Sequence, residues 1–224
     1  MPGRVAAVVP AAGRGERLGG GTAKALRMIG DAPMLVHAVR SLRAAPSVDL
    51  LIVAAPADDL DAVRELLGSS VLVVPGGMTR SESVRCALAV LPDDVDMVLV
   101  HDAARPFVPA SVVEAVVGAV RGGHDAVVPV VALPDTVKRL AADGRVLETL
   151  SRHDLYAVQT PQGFLRSVLV EAHRDRPMDA TDDAVLVEAA GRPVWTVQGA
   201  DEAFKVTRPA DLLRAEFLLA RLHG

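Results

Sequence analysis

The sequence predicts an α/β protein built on a doubly wound, mostly parallel sheet with a protruding β-hairpin arm, and three observations carry that prediction. Short β-branched runs alternate with amphipathic stretches from the start of the chain. The runs are continuously apolar, as strands covered on both faces must be. Half of the 224 residues are hydrophobic but only 3% are aromatic, so the core has to be built from Val, Leu and Ala. This length suits a single domain, 1–224, with a sizeable core.

RVAAVVP (4–10) reads as the first strand and leads into a glycine-rich stretch. MLVHAVRSLRAA (34–45) places apolar residues at three- and four-residue spacing and reads as a helix. DLLIVAAP (49–56), SVLVVPG (70–76), DMVLVHD (96–102) and DAVVPVV (125–131) continue the strands, central and parallel by their apolar character. DDLDAVRELLG, SESVRCALAVL and SVVEAVVGAV supply the intervening helices, with Ser or Asp near their starts as caps. The rhythm changes at about 133. Two alternating stretches flank the turn signal Ala142-Asp143-Gly144, which predicts a β-hairpin arm at about 133–155. Such an arm has little core of its own, so it folds over the site as a lid or reaches a second subunit. A helix at about 164–175, an acidic helix start at Thr181-Asp182-Asp183, a strand at 193–199 and a helix from about 209 complete the chain.

Composition excludes several functions. A net charge of −4 argues against a nucleic-acid surface. No uncharged apolar run approaches the roughly 18 residues of a membrane span, and MPGRVAAVV lacks the form of a signal peptide, so the expectation is a cytoplasmic protein with no membrane partner. The single cysteine, Cys86, rules out an intrachain disulfide and a Cys-rich zinc site, and its expected role is helix packing. Among 24 basic side chains only Lys24, Lys138 and Lys205 are lysine. Either these are chance survivors on the surface, or a compact ammonium is needed there to meet phosphate.

In a doubly wound sheet, ligands bind beyond the carboxyl ends of the strands where strand order reverses. Pro10–Lys24, Gly76-Gly77-Met78-Thr79-Arg80 and His101-Asp102-Ala103-Ala104-Arg105-Pro106 should therefore converge on one edge. The first of these is neither familiar phosphate loop. A dinucleotide G-x-G-x-x-G would need a small residue where Leu18 stands, and a Walker A loop would need Gly-Lys-Ser/Thr, whereas Lys24 lies between alanines. The small residues Ala11, Ala12 and Gly13 let a ligand approach the backbone, while Gly15 and Gly19–Gly21 can turn N–H groups inward as an anion nest. With Arg17 and Lys24 added, the loop suits a polyphosphate; the bland alternative is a flexible loop with solvated charges.

P-A-A-G-x-G-x-R-L with a lysine seven residues after the arginine resembles the signature loop of the nucleotidyltransferases that activate sugar and polyol phosphates. Together with HDAARP at 101–106, TPQ at 160–162, ATDDA at 180–184 and KVTRPADL at 205–212, the ordered set resembles the 2-C-methyl-D-erythritol 4-phosphate cytidylyltransferases over nearly the whole chain. That family condenses CTP with methylerythritol 4-phosphate in the non-mevalonate isoprenoid pathway. The resemblance implies a Rossmann-like nucleotidyltransferase sheet, in-line attack of the substrate phosphate on the α-phosphorus, and release of pyrophosphate. It implies Mg²⁺ as cofactor and a homodimer formed through the arm.

By this resemblance Arg17, Lys24, Arg152 and Lys205 are catalytic, and Ala11, Ala12, Gly13, Gly15, Gly77, Ser83, Asp102 and Ala103 bind the nucleotide. Arg105, Thr136, Arg152, Thr160 and Lys205 are implied on the acceptor side, with Lys138 nearby and Arg152 serving the neighbouring subunit's site. Asp102 either binds Mg²⁺, directly or through water, or contacts a ribose hydroxyl. Arg105 either binds phosphate or holds its loop. His101 is expected to pack or hydrogen-bond, since no other histidine has helpful spacing, and Asp182 and Asp183 are expected as helix caps. Ser81 and Ser83 lack a G-x-S-x-G elbow, which argues against a hydrolase. Two departures from the family pattern stand out: Met78 occupies a position where several relatives carry an acidic residue, and AKAL (23–26) stands where relatives more often read P-K-Q with an aromatic. A ribitol 5-phosphate cytidylyltransferase and a catalytically silent nucleotide-binding homologue are the competing readings.

Overall fold

A computed structural model describes residues 3–13, 23–175 and 180–223. Its main sheet contains β1 (Arg4–Pro10), β4 (Leu50–Ala55), β5 (Leu72–Pro75), β6 (Val95–Val100), β7 (Ala126–Ala132), β10 (Tyr156–Val158), β11 (Gln162–Leu165) and β12 (Trp195–Gln198). The order is β10-β7-β11-β6-β1-β4-β5, and β12 also pairs with β7. β1 is parallel to both β4 and β6, and β4 is parallel to β5. β11 runs antiparallel between β6 and β7, so the expected central parallel strand at 125–131 has only β12 as a parallel neighbour.

Period-two alternation divides the core. Val5, Ala7 and Val9 of β1 face one layer, which includes residues of α1 (Met34–Arg43), α2 (Leu60–Leu67) and α4 (Ala110–Arg121). Ala6 and Val8 face the opposite layer, formed with α3 (Arg80–Leu88), α5 (Arg166–Asp175) and α6 (Asp183–Ala189). Burial on both faces is why these strands lack a polar side. The final helix α7 (Pro209–His223) covers a smaller cluster in which Ala215 and Leu219 meet Ile29, Met34, Phe107 and Val206. Ile29 lies on β2 (Met28–Ile29), which pairs with β3 (Ala32–Pro33).

The arm is present as the antiparallel pair β8 (Val137–Leu140) and β9 (Val146–Leu150), which joins no other strand among the described residues. Gly144 has φ +85°, a left-handed conformation that favours glycine in the turn. Contrary to the sequence expectation, Gln162–Leu165 is a strand, and the helix expected at about 164–175 begins at Arg166. Four residues carry too little periodicity to separate strand from helix, and it is pairing with β6 and β7 that decides. Cys86 lies half-buried on α3. Among the described residues no helix is long and apolar enough to cross a membrane.

Candidate active site

Strand order reverses around β1: the chain steps outward through β4 and β5, then returns to β6 on the other side. The segments after β1, β5 and β6 meet there in one pocket, joined by Lys205 from the stretch before α7. Ala11, Ala12 and Gly13 form one wall, and Gly77, Met78, Thr79 and Ser83 form another.

The two walls touch because Gly76 has no side chain. A Cβ there would stand 2.6 Å from the Ala12 Cβ and 2.9 Å from Ser83 Oγ. Thr79 then caps α3 in a reciprocal box with Glu82, an arrangement worth about 1 kcal/mol. Glu82 also accepts from the Met78 N–H at 2.7 Å, leaving the Met78 side chain 90% exposed at the rim. Ser83 accepts from the Gly77 N–H at 3.1 Å and donates to the Thr79 carbonyl at 2.9 Å. With its proton committed, the Ser83 hydroxyl offers a ligand one lone pair.

The floor of the pocket is charged. Asp102, at the end of β6, accepts from Arg80 Nε at 3.1 Å and pairs with Lys205 Nζ at 2.7 Å through its other oxygen. Burial alone would raise the Asp102 pKa, but Arg80, then Lys205 and Arg105, outweigh it and hold the carboxyl far below its ordinary range. Burial likewise opposes the charge on Arg80, and Asp183 and Asp102 reverse that effect, keeping the guanidinium protonated. Lys24 lies in a short 3-10 turn, Lys24–Leu26, with its N–H donating to the Gly13 carbonyl at 3.4 Å.

Below Asp102 lies a buried relay. The Asp102 N–H donates to Thr160 Oγ1 at 3.0 Å, and the Thr160 hydroxyl donates to His101 Nδ1 at 3.0 Å. His101 Nε2 donates to the Arg105 carbonyl at 3.0 Å, which assigns the neutral tautomer. Burial pushes the His101 pKa down to about 4. The Lys205 segment is tied down nearby: the Val206 N–H donates to the Ala104 carbonyl at 2.8 Å, and Arg105 Nη1 donates to the Ala203 carbonyl at 2.7 Å.

Of the residues assigned from sequence, Ala11, Ala12, Gly13, Lys24, Gly77, Ser83, Asp102, Ala103 and Lys205 line this pocket. Gly15 and Arg17 lie outside the described residues. Thr160 is buried beneath Asp102, and Arg105 spends its guanidinium on the carbonyls of Ala203 and Val158, which makes it a tie between chain segments. Thr136, Lys138 and Arg152 belong to the arm, and none of them lines the pocket; Arg152 donates to the Pro134 carbonyl.

The sequence pattern gives Arg80 no role and predicts a cap at Asp183. Asp182 does cap α6, accepting from the Val185 N–H at 3.0 Å, but Asp183 is fully buried and pairs with Arg80 at 2.7 Å and His173 at 2.8 Å. A signal for this existed. Arg80 is the first residue of α3, at the positive end of the helix dipole, where a cation needs anionic partners.

Two lysines, one ionised carboxylate and close-approach backbone can hold a nucleotide and set positive charge on both the attacking and the leaving side of a reacting phosphorus. The fold and site define a nucleotidyltransferase. The profile of the 2-C-methyl-D-erythritol 4-phosphate cytidylyltransferases (IspD) matches residues 5–221, and the chain belongs to that family. The chain is similar to the 2-C-methyl-D-erythritol 4-phosphate cytidylyltransferase of Frankia casuarinae, 61% identical over 97% of this chain and 82% of that one. It is 54% identical to the enzyme so named from Streptomyces coelicolor over 98% of this chain and 86% of that one. A Thermus thermophilus structure bearing the same name superposes with TM-score 0.81 at 36% identity, covering 98% of this chain and all of that one. The 4-diphosphocytidyl-2C-methyl-D-erythritol synthase of Anaerococcus prevotii superposes with TM-score 0.85 at 27% identity, covering 98% and 99%.

Proposed function

We propose that the chain transfers CMP from CTP to 2-C-methyl-D-erythritol 4-phosphate, giving 4-diphosphocytidyl-2-C-methyl-D-erythritol and pyrophosphate for isoprenoid synthesis. The observation that carries this reading is the meeting of Lys24, Asp102 and Lys205, from three separate segments, in one pocket. An oxygen of the acceptor phosphate attacks the α-phosphorus, the bond from that phosphorus to the oxygen bridging the α- and β-phosphates breaks, and pyrophosphate leaves with that oxygen. Lys205 draws the incoming anion toward another anion, while Lys24, with Arg17, stabilises the charge gathering on the leaving group. Ser83 presents a lone pair to the exocyclic amine of cytosine, whereas the 4-carbonyl of uracil would set lone pair against lone pair.

The residues suit magnesium as a substrate-borne ion. Asp102 is ionised, and each of its oxygens keeps a lone pair beyond the contacts to Arg80 and Lys205. Among the described residues no group of three or more His, Cys, Asp or Glu side chains could cage a metal. One carboxylate plus phosphate oxygens is how Mg²⁺ is commonly held, and Asp102 would supply that carboxylate. When bound, the ion neutralises triphosphate charge.

The arm fits a second copy of the chain. Leu140, Val146 and Leu147 are each more than half exposed on it, and a lone hairpin is marginal in water. Arg152 stands away from its own pocket, which supports its serving a partner's.

Pyrophosphate release is measured with CTP, Mg²⁺ and methylerythritol 4-phosphate, and separately with ribitol 5-phosphate. Release with the first alone is expected. Release with only the second reassigns the acceptor, and release with neither favours a silent homologue.

A further inference from the structure

Arg80, itself part of the pocket lining, joins two carboxylates that lie 81 positions apart in sequence. Its Nε donates to Asp102 Oδ1 at 3.1 Å, and its Nη1 donates to Asp183 Oδ2 at 2.7 Å. Asp183 is entirely buried. Its other oxygen accepts from His173 Nε2 at 2.8 Å, and its backbone N–H donates to Gln162 Oε1 at 3.1 Å. Gln162 also donates to Asp182, so the first turn of α6 is fastened to β11.

A carboxylate held this way cannot turn toward water, and one left without its cation would be expensive to bury. The Arg80 guanidinium is therefore anchored at its Asp183 end. It starts α3, where the helix dipole disfavours a cation, so its place depends on these two anions. Arg80 Nε meets Asp102 on the oxygen opposite to that taken by Lys205. Clamped between cations on both sides, the Asp102 carboxylate is fixed in rotation. Lys205 is consequently limited to one of the two carboxylate oxygens.

We propose that Asp183 is a positioning residue for the transfer reaction: it holds Arg80 so that Arg80 sets the orientation of Asp102 and, through it, the placement of Lys205. The inference rests on the reaction proposed above. Released from Asp183, Arg80 follows Asp102 alone, and the carboxylate and the Lys205 ammonium turn together away from the reacting groups. Small displacements of that kind act on the transition state more than on nucleotide affinity.

The test is steady-state kinetics of Asp183→Asn, Arg80→Gln and the double variant with CTP and methylerythritol 4-phosphate, run below each protein's melting temperature. Asp183→Asn is expected to lower kcat by about 10- to 100-fold with KM for CTP changed less than about 3-fold. In the Arg80→Gln background the same substitution is expected to change kcat by less than about 2-fold, because the route it acts through is gone. An Asp183→Asn kcat within about 2-fold of wild type, or effects of the two substitutions that multiply independently, overturns the proposal. If Asp183→Asn does not fold, Arg80→Lys decides: it keeps a cation for Asp183 but has no fork to reach Asp102 as well. A kcat loss of the same order supports the proposal, and wild-type kcat overturns it. Wild-type protein without turnover overturns the reaction and this inference together, whereas normal wild-type turnover with unaffected variants overturns the inference alone.

Discussion

Protonating His101 should unfasten the loop that carries Asp102, and the cost can be worked from its surroundings. The imidazole is wholly buried, donates from Nε2 to the Arg105 carbonyl and accepts at Nδ1 from Thr160. Burial lowers its pKa to about 4, prevailing over the Arg105 carbonyl and the Asp102 charge, which favour the cation. In the unfolded chain the pKa is about 6.5. Between these values the unfolded state binds the proton and the folded state does not, so stability falls as pH drops from about 6.5 to about 4. At about 1.4 kcal/mol per unit the full interval is worth about 3 kcal/mol, of which about 2 is lost by pH 5. Chemical denaturation of wild type and His101→Asn from pH 8 to pH 5 isolates this share, since Asp102 and Asp183 titrate in both proteins. The variant should be less stable at pH 8, and the gap should narrow by about 2 kcal/mol at pH 5. A gap that stays constant across that range would refute the reasoning.

Lys24→Ala should lower kcat by about 10²–10³ while changing KM for CTP far less, and an unchanged kcat would remove Lys24 from the reaction. Mixing Arg152→Ala subunits with Lys205→Ala subunits should restore part of the activity each lacks, because one site in every mixed dimer would be intact; no recovery despite demonstrated mixing would count against a shared site. Gly76→Ala would set a methyl group 2.6 Å from the Ala12 Cβ and 3.3 Å from the Ala55 carbonyl, parting the two walls of the pocket. KM for CTP should rise about 10-fold, and wild-type KM would show that the close approach does not shape the site.

Much of the fold was legible from local pattern. Continuous Val, Leu and Ala runs marked β1, β4, β5, β6 and β7, since a strand buried on both faces has no polar side. The hairpin turn showed in Ala142-Asp143-Gly144, where Gly144 takes its positive φ. β11 was not legible: Gln162–Leu165 is strand because β6 and β7 offer it edges to pair with, and nothing local says so. The same contrast holds in the site. Small residues after β1 and β5, and two rare lysines, point to a phosphate-handling pocket from the sequence alone.

By itself, the sequence determined the alternation that makes a doubly wound sheet, the loops that reach its switch point, and the ordered motifs that place the chain in its family. Local periodicity, glycine placement and motif order are properties of neighbouring residues, so they survive reading in one dimension. Only the tertiary structure decided that Arg105 ties chain segments, that Thr160 supports Asp102 from below, and that Asp183 is a buried ion. An aspartate at a helix start can cap or can bury its charge, and the difference depends on a cation arriving from 103 positions away in sequence. Burial and charge pairing are set by what folding brings together, and no neighbour in the chain encodes them.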